Sequence, residues 1–166
     1  HKAIRRQRQM CIRDSSITVD SLGSWTDFVG DEYKAFSGTA VYTTTINKVP
    51  VADVIKLDLG SVAENASVYL NGDYIGTVID SPYQLYIPAE KFKGQDELVV
   101  RVANSMANRI AYMDKKGVDW KIFYNVNMSA RKKENVKNGI FDASDWEPKS
   151  SGLLGPVTLT PAMVKQ

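Results

Sequence analysis

The sequence predicts an all-β protein, a jelly-roll β-sandwich with one long, partly helical excursion. Short runs of alternating apolar and polar residues recur at even spacing and end at Gly or Pro, as in sandwiches and barrels. Asn71-Gly72 lies between two such runs and supplies both positive-φ residues of a type I′ turn, a strong hairpin signal. By contrast, the segment 104–152 lacks this alternation and is far longer than an ordinary connection.

The predicted strands are rich in β-branched and aromatic residues or alternate strictly in polarity. They cover residues 36–46, 54–59, the hairpin 66–79, 82–87, 97–102 and 153–160. Residues 89–92, followed by Gly94, predict a turn or a single helical turn. Pro156 cannot donate to a ladder, so it places the last strand at a sheet edge or a bulge.

The excursion begins with a helix-like pattern and then becomes aromatic. Apolar residues recur at helical spacing at Met106, Ala107, Ile110, Ala111 and Met113. Gly117 follows two lysines, which is typical of a helix C-terminus. Aromatic residues follow at Trp120, Phe123, Tyr124, Phe141 and Trp146. Long ordered excursions usually carry function or an interface, and the alternative is a loop that covers a sheet edge.

Residues 1–15 differ from the rest of the chain. They carry five basic residues and one acidic residue, a charge of +4 against +2 for the whole chain, so residues 16–166 carry −2. The segment 9–15 resembles translated sequencing-adapter DNA. We therefore expect residues 1–15 to be a non-native or disordered tail, and residues 16–166 to be a single sandwich domain from a larger enzyme. The basic arm has no interleaved aromatic residue, so we expect no nucleic-acid partner.

Cysteine and histidine content and hydropathy exclude several kinds of site and partner. Cys11 is the only cysteine, so residues 16–166 contain neither a disulfide nor a cysteine-based site. None of the apolar runs approaches the roughly 18 residues needed to span a bilayer, so we expect no membrane partner. His1 is the only histidine, which leaves residues 16–166 without a histidine triad.

Several landmarks occur in a characteristic order along the chain. They are Phe36-Ser-Gly38, Leu57-Asp-Leu59, Val68-Tyr-Leu-Asn-Gly72, Gly76, Pro82-Tyr83, Leu98-Val-Val-Arg-Val102 and Asn104. This set resembles the sugar-binding, galactose-binding-like jelly-roll domains of family 2 glycoside hydrolases. The excursion motifs Asn108-Arg-Ile110, Gly117-Val-Asp-Trp120, Phe141-Asp-Ala-Ser144, Trp146-Glu-Pro148 and Ser151–Val157 resemble the C-terminal region of family 106 α-L-rhamnosidases.

The resemblance implies a non-catalytic module of a bacterial polysaccharide-degrading enzyme. In such enzymes the catalytic carboxylates lie on a separate barrel, and a barrel needs about 250 residues. The resemblance therefore implies an inactive chain without catalytic residues, with the parent's catalytic domain as partner and plant or host glycan as a further partner. It also implies a periplasmic or extracellular location.

Carbohydrate binding requires aromatic faces and planar hydrogen-bonding groups. Trp120, Tyr124 and Trp146 are candidates for the faces, and Asn104, Asn108 and Arg109 for the hydrogen bonds. The same residues serve equally as a domain interface or as packing that fixes the loop. We expect no cofactor. Asp142, Asp145 and Glu147 are spaced like oxygen ligands of a structural calcium ion, but turn-forming roles are the stronger reading.

The leading interpretation is an accessory sandwich that supports the catalytic domain and contacts carbohydrate at its margin. One alternative is an autonomous carbohydrate-binding module, and another is an adhesion or interaction sandwich without a role in sugar binding. A packed apolar patch on 104–152 favours the first interpretation, and an exposed coplanar aromatic platform favours the second.

Overall fold

The computed structural model describes residues 18–122 and 132–162. Contacts group these residues into two compact units. The sandwich unit comprises residues 18–25, 38–104 and 150–162, and the excursion unit comprises Thr26–Ser37 and the described part of Ser105–Lys149. The single domain that we expect over residues 16–166 stays a prediction, because the contacts divide these residues between the two units. The tail 1–15 lies outside the described residues.

Strands predominate among the described elements. The strands are β1 Thr39–Ile46, β2 Val54–Asp58, β3 Ser61–Ala63, β4 Asn65–Leu70, β5 Asp73–Val78, β6 Gln84–Pro88, β7 Asp96–Ala103, β8 Val136–Lys137, β9 Ile140–Phe141, β10 Gly152–Gly155 and β11 Thr158–Ala162. The α-helices are α1 Asp31–Lys34 and α2 Ala107–Lys115, and 3-10 turns occur at Trp25–Asp27, Ala89–Lys91 and Lys133–Asn135. Of the two alternatives predicted at 89–92, a turn or a single helical turn, the structure has the helical one, a 3-10 turn over Ala89–Lys91.

The described sheets of the sandwich unit are antiparallel, and an isolated parallel bridge joins Gly60 to Gly155. A four-stranded sheet has the order β1-β7-β4-β5, a three-stranded sheet has the order β11-β2-β6, and β10 pairs with β3. The all-β sandwich predicted from the sequence is therefore confirmed. Its long excursion also has the predicted partly helical character, because α2 lies within it.

The core of the sandwich unit follows from the period-two alternation of its strands. Along β4 and β7 every second residue is buried, whereas the residues between are half-buried or exposed. Side chains from the sheets merge into one buried cluster of Leu57, Leu59, Val62, Ala66, Val68, Leu70, Val78, Ile87, Leu98, Val100, Val102 and Leu153. Burial of each Leu or Val side chain contributes about 1.5–3 kcal/mol.

The Asn71–Gly72 hairpin has the predicted turn. Asn71 has φ 52° and Gly72 has φ 87°, and β4 and β5 pair directly across them from Leu70 to Asp73. These positive φ values confirm the type I′ turn. The pairing slips between Val68 and Tyr69, and this bulge sets Tyr69 opposite Tyr74.

A buried carboxylate fixes this turn to the next loop. Asp96 is 1% exposed and accepts hydrogen bonds from Asn71 Nδ2 at 2.7 Å, Lys93 N–H at 2.8 Å and Gly94 N–H at 3.0 Å. Burial raises the pKa of Asp96, but these hydrogen bonds and the Lys93 charge together outweigh burial and hold that pKa below its usual value.

The closing segment differs from its prediction. The single strand predicted over 153–160 is two strands, β10 and β11, which lie on either side of Pro156 and pair with β3 and β2. Pro156 lacks an N–H, and it falls where the chain changes partner. The sequence prediction also missed β3, whose three residues are too few to show alternation.

The excursion unit contains the predicted helix. Helix α2 ends in a Schellman motif, since Gly117 N–H bonds to Asp114 O and Val118 N–H to Met113 O. Gly117 takes the left-handed conformation that this motif requires, with φ 66°. A second, smaller core contains Phe141 and Ala143, with Ile110, Trp120 and Trp146 packed against it. Within 18–122 and 132–162, no helix has the length and apolarity of a membrane span.

Candidate functional site

The six predicted site residues are divided between the two units and the part of the chain outside the described residues. Asn104 belongs to the sandwich unit, whereas Asn108, Arg109, Trp120 and Trp146 belong to the excursion unit. Tyr124 lies outside the described residues. Each described residue is therefore assessed by its own partners.

Asn104 binds backbone and side-chain groups of the sandwich unit. Its Oδ1 accepts a hydrogen bond from Gly38 N–H at 3.0 Å, and its Nδ2 donates to Ser151 Oγ at 3.1 Å. The backbone carbonyl of Ser151 also accepts a hydrogen bond from Trp25 N–H at 3.0 Å. One cluster of hydrogen bonds thus joins the chain at residues 25, 38, 104 and 151, which gives Asn104 a structural role.

Asn108 pairs with the far end of the excursion. It is 6% exposed, and its side-chain amide both donates to Lys149 O and accepts from Lys149 N–H, each at 2.8 Å. This two-point pairing imitates a β-bridge and holds the helix against the segment before Ser150. The amide is committed inside the protein, which favours the structural reading over sugar contact.

Asp114 organises the aromatic part of the excursion. Its side chain is 2% exposed, and Oδ1 accepts from Trp120 Nε1 at 2.7 Å and lies 2.7 Å from Lys121 Nζ. The other oxygen, Oδ2, accepts from Ala143 N–H at 2.8 Å. Sequence reasoning missed this residue. The available signal was an acidic residue in the last turn of a helix, where it opposes the helix dipole and needs donors to offset it.

Trp146, like Trp120, is held by a hydrogen bond from its indole N–H to a side chain of the protein. Its Nε1 donates to Oδ1 of buried Asn135 at 2.9 Å, and its ring meets Phe141 edge to face at 5.8 Å. The indole N–H groups of Trp120 and Trp146 therefore both have protein acceptors. Only the half-exposed ring faces are left for a ligand, so packing is their better supported role. The carbohydrate contacts assigned to these residues stay a prediction.

Arg109 differs from the other candidates. Its Nε is buried without a hydrogen-bond partner among the described residues, and none of them forms an ion pair with its guanidinium. The guanidinium carbon lies 5.9 Å from the Tyr112 ring, and Lys116 Nζ lies 5.6 Å from the same ring. A buried donor without an acceptor is costly and rare. Among the described candidates, Arg109 is thus the residue whose side-chain donor lacks an acceptor in the described part of the chain.

Two of the three suggested calcium ligands, Asp142 and Asp145, contact a lysine. Lys137 Nζ lies 3.4 Å from Asp142 Oδ1 and 3.1 Å from Asp145 Oδ2, and it donates to Ser144 Oγ at 2.6 Å. The Asp145 carboxylate is the main cause of a raised Lys137 pKa, whereas the Ser144 hydroxyl is the main cause of a lowered Asp142 pKa. Asp142 also accepts from Ser144 N–H at 3.0 Å, which is the Asx-turn expected as the alternative.

Glu147 is exposed and takes no part in this group. Across residues 18–122 and 132–162, no three His, Cys, Asp or Glu side chains are grouped to hold a metal. The calcium interpretation is therefore not supported at Asp142 and Asp145, where the positive charge is an ammonium group.

Comparison with known proteins gives sequence and structural matches, although no protein-family model matches the chain. A protein of Formosa agariphila, whose name provisionally assigns it to the β-glucuronidases, is 33% identical over 160 residues. This match covers 87% of the present chain and 14% of the relative. A rhamnosidase from Novosphingobium sp. PP1Y superposes with a TM-score of 0.69 at 29% identity, covering 86% of this chain and 13% of that one.

A family 2 β-galacturonidase from Eisenbergiella tayi matches less well, with a TM-score of 0.46 and 20% identity over 56% of this chain. The chain spans 13–14% of the length of the two stronger relatives. The resemblance inferred from the ordered motifs is thereby confirmed, and the chain is similar in sequence and fold to a β-sandwich portion of large glycoside hydrolases.

Proposed function

We propose that the chain is a non-catalytic accessory sandwich of a bacterial polysaccharide-degrading glycoside hydrolase, which supports the catalytic domain. One observation carries the proposal. Relatives match nearly the whole of this chain, yet the match is 13–14% of their own length. A chain of 166 residues is also too short for the barrel of about 250 residues on which such chemistry is built.

The excursion unit supplies the proposed contact with the catalytic domain. Arg109 offers a guanidinium without an ionic partner in the described structure, and it shares the Tyr112 ring with Lys116. A carboxylate from the catalytic domain would complete this group by a bidentate pair. On this proposal the aromatic residues of the excursion shape the contact region, and Asp114 keeps them in position.

The same proposal places the parent enzyme outside the cytoplasm, by resemblance alone. The rival reading, an autonomous carbohydrate-binding module acting through the excursion, requires an exposed aromatic platform there. Trp120 and Trp146 are instead half-buried and held by internal hydrogen bonds. An adhesion role has no specific observation in its favour.

Activity assays test the catalytic part of the proposal. The purified chain should show no turnover of 4-nitrophenyl α-L-rhamnoside, β-D-glucuronide or β-D-galacturonide. Turnover that survives repurification, and that a single carboxylate substitution in residues 16–166 abolishes, would refute an accessory role.

A chimera tests the contact. The matching portion of the Novosphingobium rhamnosidase is replaced by this chain, and rhamnosidase activity and thermal stability are measured. Arg109→Gln should lower the melting temperature of the chimera but leave that of the isolated chain nearly unchanged, since Arg109 makes no ion pair with residues 18–122 or 132–162. Lys115→Gln, on the same helix, is the matched control and should change neither. Equal effects of Arg109→Gln in both contexts would contradict the proposed contact.

A further inference from the structure

The outer face of the four-stranded sheet presents two ordered rows of side chains. Strand register aligns Val41, Arg101, Ser67 and Thr77 in one row, and Thr43, Val99, Tyr69 and Tyr74 in the next. The intervening residues, such as Val68 and Val100, are buried, so these rows face away from the core. Four strands spaced about 4.8 Å apart make each row about 14 Å wide, which is long enough for a short oligosaccharide.

Two neighbouring tyrosines form an aromatic pair on this face. The rings of Tyr69 and Tyr74 have centroids 5.5 Å apart and planes inclined at 59°. Tyr74 is 59% exposed. The bulge at Val68/Tyr69 brings these two residues opposite each other, on strands joined by the tight Asn71–Gly72 turn. An exposed ring on a rigid strand is suited to the C–H face of a pyranose.

Hydrogen-bonded hydroxyl groups lie beside this aromatic pair on the same strands. Ser67 Oγ and Thr77 Oγ1 are hydrogen-bonded at 2.8 Å, and Tyr74 Oη and Thr77 Oγ1 at 2.9 Å. Each hydroxyl has one donor and two acceptor positions, so two bonds among three hydroxyls leave capacity for further partners. The face thus offers sugar hydroxyl groups a fixed line of donors and acceptors beside an aromatic ring.

Arg101 gives this face a positive charge. Its guanidinium carbon lies 4.7 Å from the Tyr69 ring centroid, so the cation is held over the ring. Arg101 is exposed, and none of the described residues pairs with it or accepts its hydrogen bonds. Glu97, the nearer of the two acidic residues of the same strand, lies four residues away, which is about 13 Å along the strand. An exposed guanidinium that has no carboxylate partner among the described residues is suited to binding a planar carboxylate.

We propose that Tyr69, Tyr74 and Arg101, with the Ser67–Thr77 hydroxyls, bind a carboxylate-bearing oligosaccharide, with a uronate carboxylate on Arg101 and a sugar ring on Tyr74. An oligosaccharide is favoured over a protein partner because most of the aligned residues carry hydroxyl groups, which can exchange hydrogen bonds with sugar hydroxyls. The site lies in the sandwich unit and does not depend on the contact proposed for Arg109.

Calorimetry and amide chemical-shift mapping with trigalacturonic acid, at low and high salt, test the site. We expect millimolar or slightly tighter binding, with shifts on β4, β5 and β7 and at least tenfold weaker binding of neutral maltotriose. Arg101→Gln should weaken trigalacturonate binding about tenfold without changing maltotriose binding. Tyr74→Ala should weaken both. Lys56→Gln, on the other sheet, is the control and should change neither.

Three outcomes would overturn the proposal. They are no binding at millimolar concentration, binding that Tyr74→Ala leaves intact, or equal binding of a hexaglutamate peptide through Arg101. The last result would make this face a docking surface for acidic protein segments. None of these outcomes bears on the chimera, so the two proposals fail separately.

Discussion

Replacement of buried Asp96 should lower the free energy of unfolding of the sandwich unit much more than replacement of an exposed carboxylate would. The carboxylate is 1% exposed and accepts three hydrogen bonds, two of them from backbone N–H groups of the loop before β7. Asn71, the third donor, also pairs with the backbone of Glu97 in both directions. Asp96 therefore fixes the hairpin turn, the loop and the start of β7 together.

The magnitude follows from these partners. A hydrogen bond to a charged group contributes about 1.5–3 kcal/mol, and three bonds to one carboxylate are not additive. Asp96→Ala should therefore cost about 3–4 kcal/mol of the free energy of unfolding. At about 3 °C per kcal/mol for a protein of this size, the melting temperature should fall by about 10 °C. Asp96→Asn preserves shape and should cost about 1–2 kcal/mol.

The pH dependence gives a second measurement. The folded pKa of Asp96 is lowered relative to the unfolded chain, so its ionised form stabilises the fold above the unfolded pKa of about 3.9. That contribution is lost as the pH falls through the lower folded pKa. The stability difference between wild type and Asp96→Asn should thus be complete at pH 5–7 and shrink below about pH 4.

Urea unfolding and amide exchange on β4 and β7 measure both effects. Glu97→Gln is the matched control, because Glu97 is the exposed neighbouring carboxylate, and it should change stability by less than about 0.5 kcal/mol. A loss below 1 kcal/mol for Asp96→Ala, or a wild-type to Asp96→Asn difference that stays constant down to about pH 2, would refute this reasoning.

Other substitutions test separate features. A Cβ at Gly72 would meet no atom within 4 Å, so Gly72→Val should cost about 1–3 kcal/mol through backbone strain alone, and Gly72→Asn clearly less, by urea unfolding. Asp114→Ala should shift the fluorescence of Trp120 to longer wavelength and lower protection of α2 amides by about 2 kcal/mol, and an unchanged spectrum would count against the proposed positioning role. Lys137→Gln should leave the urea midpoint nearly unchanged because its ion pair with Asp145 is largely exposed, and millimolar Ca²⁺ should leave the melting temperature of wild type within about a degree.

The strands were predicted best where the local sequence alone determines both the turn and the alternation of buried and exposed residues. The Asn71–Gly72 turn and the strands on either side of it require no distant partner for their conformation. Strand β3 and the division at Pro156 were not predictable, because both depend on which neighbouring strand is available for pairing. Such pairing is a property of the assembled sheets and leaves no period in the sequence.

The candidate site was less accessible to sequence reasoning. Residue type alone cannot separate an amide that binds sugar from one that binds backbone, and Asn104 and Asn108 both proved to have protein partners. The indole N–H groups of Trp120 and Trp146 likewise bond to Asp114 and Asn135, whose positions depend on the fold. The role predicted for Arg109 stays a prediction, since its Nε has no acceptor among the described residues.

The hydrogen-bond cluster around Asn104 lies where both segments of the excursion unit join the sandwich unit along the chain, so either segment can be replaced without changing the sheets. Trp25, Gly38, Asn104 and Ser151 are joined by direct hydrogen bonds, so the segments 26–37 and 105–149 each leave and re-enter the sandwich unit close to this cluster. A loop whose ends are already adjacent can change length cheaply, since doubling its length costs about 0.6 kcal/mol in closure entropy. Evolution or design can therefore exchange either segment for another and give the same β-sheet frame a different surface.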